Sequence, residues 1–188
     1  MQRVPLERDP QKGFGGARWS LLAGAGGQRF FGAGASDGLF PPAVLGGVEL
    51  GVRDDLGHGL AWGVDAALGG GTSSMAPAGI DAISTRFGEV SAGASLWKDL
   101  PLGPLTASLG VRLAMLYMGR SFPSRPDLPQ QWFFTVTPGA TAALAWRATD
   151  RASLVARLRA HYLFYNVDQN RSLGYAELLL GVEYAFGD

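Results

Sequence analysis

From Ala17 onward, apolar and polar side chains alternate in eight separated runs. Successive side chains of a strand point to opposite faces, so a period of two marks a strand with two unlike surfaces. The runs span about 17–25, 43–53, 60–69, 84–97, 105–118, 131–147, 152–165 and 173–186. The fifth is the cleanest: Leu105, Ala107, Leu109, Val111, Leu113, Met115 and Tyr117 alternate with Thr106, Ser108, Gly110, Arg112 and Ala114. The last sets Gly174, Ala176, Leu178, Leu180, Val182, Tyr184 and Phe186 against Tyr175, Glu177, Leu179, Gly181, Glu183 and Ala185. The segments between runs carry turn residues and alternate in length. A Gly-rich loop with Phe30 and Phe31 precedes the short turn Asp54–Gly59, and a longer loop (Gly70–Ile83) precedes the turn Asp99–Pro104. A Pro-rich loop (Gly119–Gln130) precedes the turn Ala148–Arg151, and Asn166–Ser172 leads into the last run. Residues 1–16 are charged but hold no apolar export core, and read as a polar lead or linker ahead of one domain over 17–188.

Aromatic side chains cluster near the run ends on the apolar face: Trp62, Tyr117, Trp132, Trp146, Tyr162, Phe164, Tyr184 and Phe186. Gly181, Tyr184 and Phe186 spell a glycine–aromatic–aromatic ending two residues before the chain stops. An even strand number, alternating loop lengths, aromatic girdles and that ending together resemble the small eight-stranded outer-membrane barrels, the OmpA transmembrane domain and OmpX group. The resemblance is architectural and covers about 17–186. It implies an all-β fold, an eight-stranded antiparallel up-and-down transmembrane β-barrel in the bacterial outer membrane. It also implies contact with the lipid bilayer and lipopolysaccharide, and reading of Gly181, Tyr184 and Phe186 by the barrel-insertion machinery. The lead at 1–16 could join the barrel to an upstream domain.

Composition agrees with a membrane barrel. Charged residues make up only 17% of the chain, below the roughly 25% usual for soluble domains. Net charge is zero, so no basic surface for nucleic acid is expected. Cysteine is absent, which excludes disulfides, thiol catalysis and thiolate metal sites.

Alternation does not say which face is inside, and a lipocalin-like soluble barrel would turn its apolar face inward around a ligand. The polar face argues for a polar lumen. It is rich in Gly, Ser, Thr and Ala, and its charges are Asp, Glu and Arg with no Lys. Arginine suits enclosed pairing because its fork binds carboxylates bidentately. An eight-stranded barrel has room only for side chains inside, so a plugged lumen of small conductance is expected.

Pairing by turn position places Arg159 opposite Glu177, with His161 one step outward, and Glu89 opposite Arg112. It also sets Glu49 facing Asp65, two carboxylates that need a cation from Arg157 or Arg159 across the lumen. The expected lumenal charge network is therefore Glu49, Asp65, Glu89, Arg112, Arg157, Arg159, His161 and Glu177. Leu109 is expected near the bilayer midplane.

Candidate chemistry is sparse. Gly69-Gly70-Gly71-Thr72 lacks the lysine of a phosphate loop, and His58 and His161 have no metal-ligand spacing, so no cofactor and no metal are expected. His161 with Glu177 resembles part of the site of PagL-type lipid A deacylases, which carry a serine two residues after the histidine. Here that residue is Leu163, so the nucleophile is missing and no catalytic residue is assigned. An acyltransferase of the PagP type matches only in strand number.

Overall fold

The computed structural model describes residues 17–31, 42–75, 81–163 and 173–186. Every regular element among them is a strand: β1 (Arg18–Phe31), β2 (Ala43–Gly57), β3 (Leu60–Met75), β4 (Ile83–Leu102), β5 (Leu105–Ser121), β6 (Gln131–Arg147), β7 (Ala152–Leu163) and β8 (Leu173–Phe186). The sheet closes on itself in sequence order, and β1 pairs antiparallel with β8 from Trp19↔Phe186 to Phe31↔Gly174. Closure removes the free edges that would otherwise template aggregation, and it pairs the backbone polar groups that lipid cannot satisfy. The start of β1 and the end of β8 lie at the same end as the β2–β3, β4–β5 and β6–β7 turns. In barrels of this kind the short turns are periplasmic and the longer loops extracellular.

Two turns set the registers. Gly57, His58 and Gly59 all have positive φ (93°, 54° and 72°), so the β2–β3 hairpin reverses in the left-handed region, where glycine is unstrained. The β4–β5 hairpin reverses at Gly103-Pro104 with φ of 69° at Gly103, the arrangement of a type II′ turn with glycine first.

These turns correct two expected pairings. β4 continues through Pro101 to Leu102, so Arg112 lies opposite Ser95 and Glu89 opposite Met118; Glu89 and Arg112 are not partners. β2 continues through Asp54 and Asp55, so Glu49 lies opposite Ala67 and Asp65 opposite Gly51. Glu49 and Asp65 are diagonal neighbours on the lumenal face instead of a facing pair. Several strands also extend toward the loop end beyond the alternation. Phe30 and Phe31, expected in a loop, belong to β1. Phe30 points inward and is buried, whereas Phe31 is exposed outward. Phe164 and the lead at 1–16 lie outside the described residues.

The outer face is a continuous apolar belt. Leu21, Leu50, Val64, Val90, Leu113, Val136, Leu158 and Leu180 are all exposed there. Of the aromatics expected at the rims, Tyr117, Trp132, Trp146, Tyr162, Tyr184 and Phe186 are exposed outward, and Trp62 is half-buried on the same face. Trp132 stacks on Tyr117 with centroids 5.6 Å apart and its ring covers Gly119, where a Cβ would stand 2.0 Å from the ring. Phe31 covers Gly174 in the same way. A ring laid over a cross-strand glycine shields backbone that would otherwise be bare. Gly119→Ala is therefore expected to lower stability by about 1 kcal/mol by lifting the ring. In a Trp132→Ala background the same change should cost almost nothing. Urea titration in lipid vesicles would measure both, and equal costs in the two backgrounds would refute the ring contact.

Candidate functional site

The lumen holds the charged side chains, which arrive there because each sits on the inward parity of its strand. At the turn end, Arg53 (β2) donates to both oxygens of Asp99 (β4) at 2.6 Å, and Ser108 (β5) donates to the same carboxylate at 2.6 Å. The Arg53 guanidinium lies 5.2 Å from the Trp97 ring centroid, within cation–π range. Above this group a longer chain of ions crosses the barrel. Arg157 (β7) bridges Glu49 (β2) and Glu183 (β8), the latter at 2.8 Å. Arg159 (β7) pairs with Glu49, with Glu177 (β8) at 3.1 Å, and reaches Asp65 (β3) at 3.8 Å. Arg112 (β5) grips Asp65 with two nitrogens, its Nε at 3.2 Å, and lies 3.5 Å from Ser91 Oγ. Its guanidinium fills the space over Gly93, where a Cβ would stand 2.8 Å from Cζ.

Toward the loop end the polar groups give way to a mixed layer. The Tyr175 hydroxyl lies 2.8 Å from Oε2 of both Glu89 and Glu177. One hydroxyl has one hydrogen, so it donates to one carboxylate. His161 stacks on Tyr175 at 5.6 Å, and its Nδ1 lies 3.1 Å from the hydroxyl of the fully buried Thr137. Beyond, Phe30, Leu116, Met118, Leu163, Leu173 and Tyr175 form an apolar cluster with Phe133 packed on it. A second apolar cluster gathers Leu22, Ala43, Leu45, Phe87, Val155 and Leu179. The lumen is therefore charged along the ion chain, and aliphatic and aromatic side chains also point inward, most of them toward the loop end.

Of the eight expected network residues, Glu49, Asp65, Arg112, Arg157, Arg159 and Glu177 form one connected set. Glu89 joins it through Tyr175, and His161 stands beside it against Thr137 and Tyr175. Sequence reasoning misses several members. Tyr175 and Glu183 share the parity of Glu177, and that signal is enough to include them. The Arg53–Asp99 pair is hidden because Pro101 makes Asp99 look like a turn residue. Thr137 gives no signal. A 380 Å³ cavity opens at the turn end beneath the ion chain, lined by Arg53, Asp99, Arg147 and Glu183 among others. Among the described residues no cluster of His, Cys, Asp and Glu is arranged to hold a metal ion.

Neisserial surface protein A superimposes on this chain with a TM-score of 0.65 over 91% of this chain and 99% of that one, at 20% identity. The chain has the fold of the small outer-membrane β-barrels. A major outer membrane protein of Thermus thermophilus matches with a TM-score of 0.57 at 19% identity, covering 90% and 99% of the two chains. Ail, the attachment invasion locus protein of Yersinia pestis, matches at 0.52 and 13% identity over 91% and 99%. No family model and no curated protein matches the chain. The fold and the apolar belt together make the outer membrane the place where this barrel resides, because a belt of that kind is stable only against lipid.

Proposed function

We propose that this protein is a closed, non-conducting barrel that acts as a structural and anchoring element of the outer membrane, with its loop end free to bind. The observation that carries the reading is the ion chain from Arg112 through Asp65, Arg159 and Glu49 to Arg157 and Glu183, which ties β5, β3, β7, β2 and β8 together across the lumen. A path for ions would have to break several of those contacts, and the apolar cluster around Phe30, Met118 and Tyr175 blocks the same axis. The outer face meets the bilayer and, in the outer leaflet, lipopolysaccharide. Gly181, Tyr184 and Phe186 serve as the insertion signal, and the aromatic rims fix the barrel's height. A non-catalytic role is favoured by His161, which is buried inside the lumen, held by Thr137 and Tyr175 and followed at two residues by Leu163.

Planar-bilayer recording tests this directly. The refolded protein is expected to give no stable open level, and Arg159→Ala/Arg157→Ala should introduce one by emptying the middle of the lumen. A large, long-lived conductance from the unaltered protein would overturn the closed-barrel reading.

A further inference from the structure

The 380 Å³ cavity at the turn end faces the periplasm in the orientation usual for this fold. It has more than twice the roughly 150 Å³ of a cavity that takes benzene, so a small solute fits. Its wall holds five arginines. Two are committed: Arg53 holds Asp99, and Arg157 bridges Glu49 and Glu183. The other three stand at the rim. Arg18 is the first residue of β1, Arg147 is the last of β6, and Arg151 belongs to the turn that follows. Among the described residues, none of these three guanidinium groups has an ion-pair or hydrogen-bond partner. Of the carboxylates in the same wall, only Asp150 is likewise unpaired among the described residues. Three unpaired cations against one unpaired carboxylate leave an excess of two positive charges around the opening. Arg18 also lies directly opposite Arg53, and like charges facing each other across two strands repel. The mouth is therefore a polar recess with cationic groups in want of an anion.

We infer that this mouth is a binding site for a phosphate monoester, held by Arg18, Arg147 and Arg151. Such a group carries about 1.5 to 2 negative charges at neutral pH, which matches the excess, whereas a single carboxylate would balance only half of it. Its three terminal oxygens accept from several donors at once, and the guanidinium fork fits two of them together. Ser20, Thr106 and Ser153 add hydroxyls to the wall for the alcohol portion. Two sources offer the group at this height: a solute of the periplasm, and a lipid headgroup of the inner leaflet beside the outward-facing Trp19 and Trp146. The site does not depend on whether the lumen conducts or the loop end binds.

The test is calorimetric titration of glycerol 3-phosphate into the full chain in phosphatidylcholine nanodiscs. Saturable binding is expected, and none with glycerol. Arg18→Gln and Arg147→Gln should each weaken it about 10-fold, the lower end for a charge-assisted hydrogen bond. Arg147→Lys keeps the charge but loses the fork, and should fall between. Arg29→Gln, which removes a cation at the loop end of β1, should change nothing. All three positions are exposed, and the gel shift of the folded barrel checks each variant. Nanodiscs containing phosphatidic acid, a monoester lipid, separate the two sources. Undiminished binding there identifies a solute as the occupant; displacement by phosphatidic acid but not by the diester phosphatidylglycerol identifies the headgroup, and either result supports the site. The inference fails if glycerol 3-phosphate binds no better than glycerol, or if Arg18→Gln or Arg147→Gln leaves the affinity unchanged. It fails equally if Arg29→Gln lowers the affinity as much as they do, or if phosphatidylglycerol displaces the probe as well as phosphatidic acid does.

Discussion

Arg159→Met is expected to destabilise the barrel by about 3–5 kcal/mol, measured by urea unfolding in lipid vesicles. The guanidinium is 6% exposed and is shared by Glu49, Glu177 and Asp65. Methionine keeps much of the volume but leaves those carboxylates with less positive charge in a nearly dry interior. Removing one partner of an enclosed ion pair costs more than the pair contributes, because a desolvated charge remains. Replacing the anion too should recover part of the loss. Arg159→Met/Glu177→Leu is expected to cost at least about 1 kcal/mol less than the sum of the two single changes. Strict additivity would mean that Arg159 and Glu177 do not interact, and the β7–β8 register Arg159↔Glu177 would fail with it.

Leu113→Arg is the second large effect, expected at about 2–4 kcal/mol in the same measurement. Leu113 is the central residue of β5, is 58% exposed, and stands between Ala94 and Pro138 on the lipid face. An arginine there has no partner and lies at the greatest depth. β5 runs past the alternation over 105–118 to Ser121, which puts its centre at Leu113 and leaves Leu109 on the turn side of it, so Leu109→Arg should cost clearly less. Depth dependence is the discriminating result. If both changes were neutral, the face assigned to lipid would be wrong. Gly110, between them in sequence, faces inward and refuses a larger side chain for a different reason: a Cβ there would stand 2.5 Å from the Leu96 carbonyl oxygen.

Strand number, face assignment and closure are legible in the sequence because each depends on parity alone. Once Leu109 and Arg112 are known to have opposite parity, no distance is needed to send one to lipid and the other inward. Partners are less legible, because they depend on where a hairpin turns. The β7–β8 connection sets Arg159 and Glu177 correctly opposite one another. Pro101 reads as a break although it lies in the strand, and the true turn at Gly103-Pro104 moves Arg112 away from Glu89 and leaves it to Asp65. The inward apolar side chains are hidden for another reason. Leu22, Leu45, Phe87, Leu116 and Met118 sit on the inward parity of runs whose other inward members are small or polar, and an inward aliphatic in one strand shows its purpose only beside its neighbours from other strands.

The pairing of β1 with β8 has a consequence for how the molecule comes to exist. Three of the acceptors and donors that satisfy the lumen, Glu177, Glu183 and Tyr175, travel on the last of the eight strands to be made. Until that strand docks, Arg157 lacks Glu183, Arg159 lacks Glu177, and Glu89 lacks the phenol. Its arrival is also self-checking, since a slip of one residue would carry Glu177 and Glu183 out into hydrocarbon and Leu178 and Leu180 into the ion chain. The final strand is thus a key cut for one position, and the cations waiting on β7 are the wards it has to match.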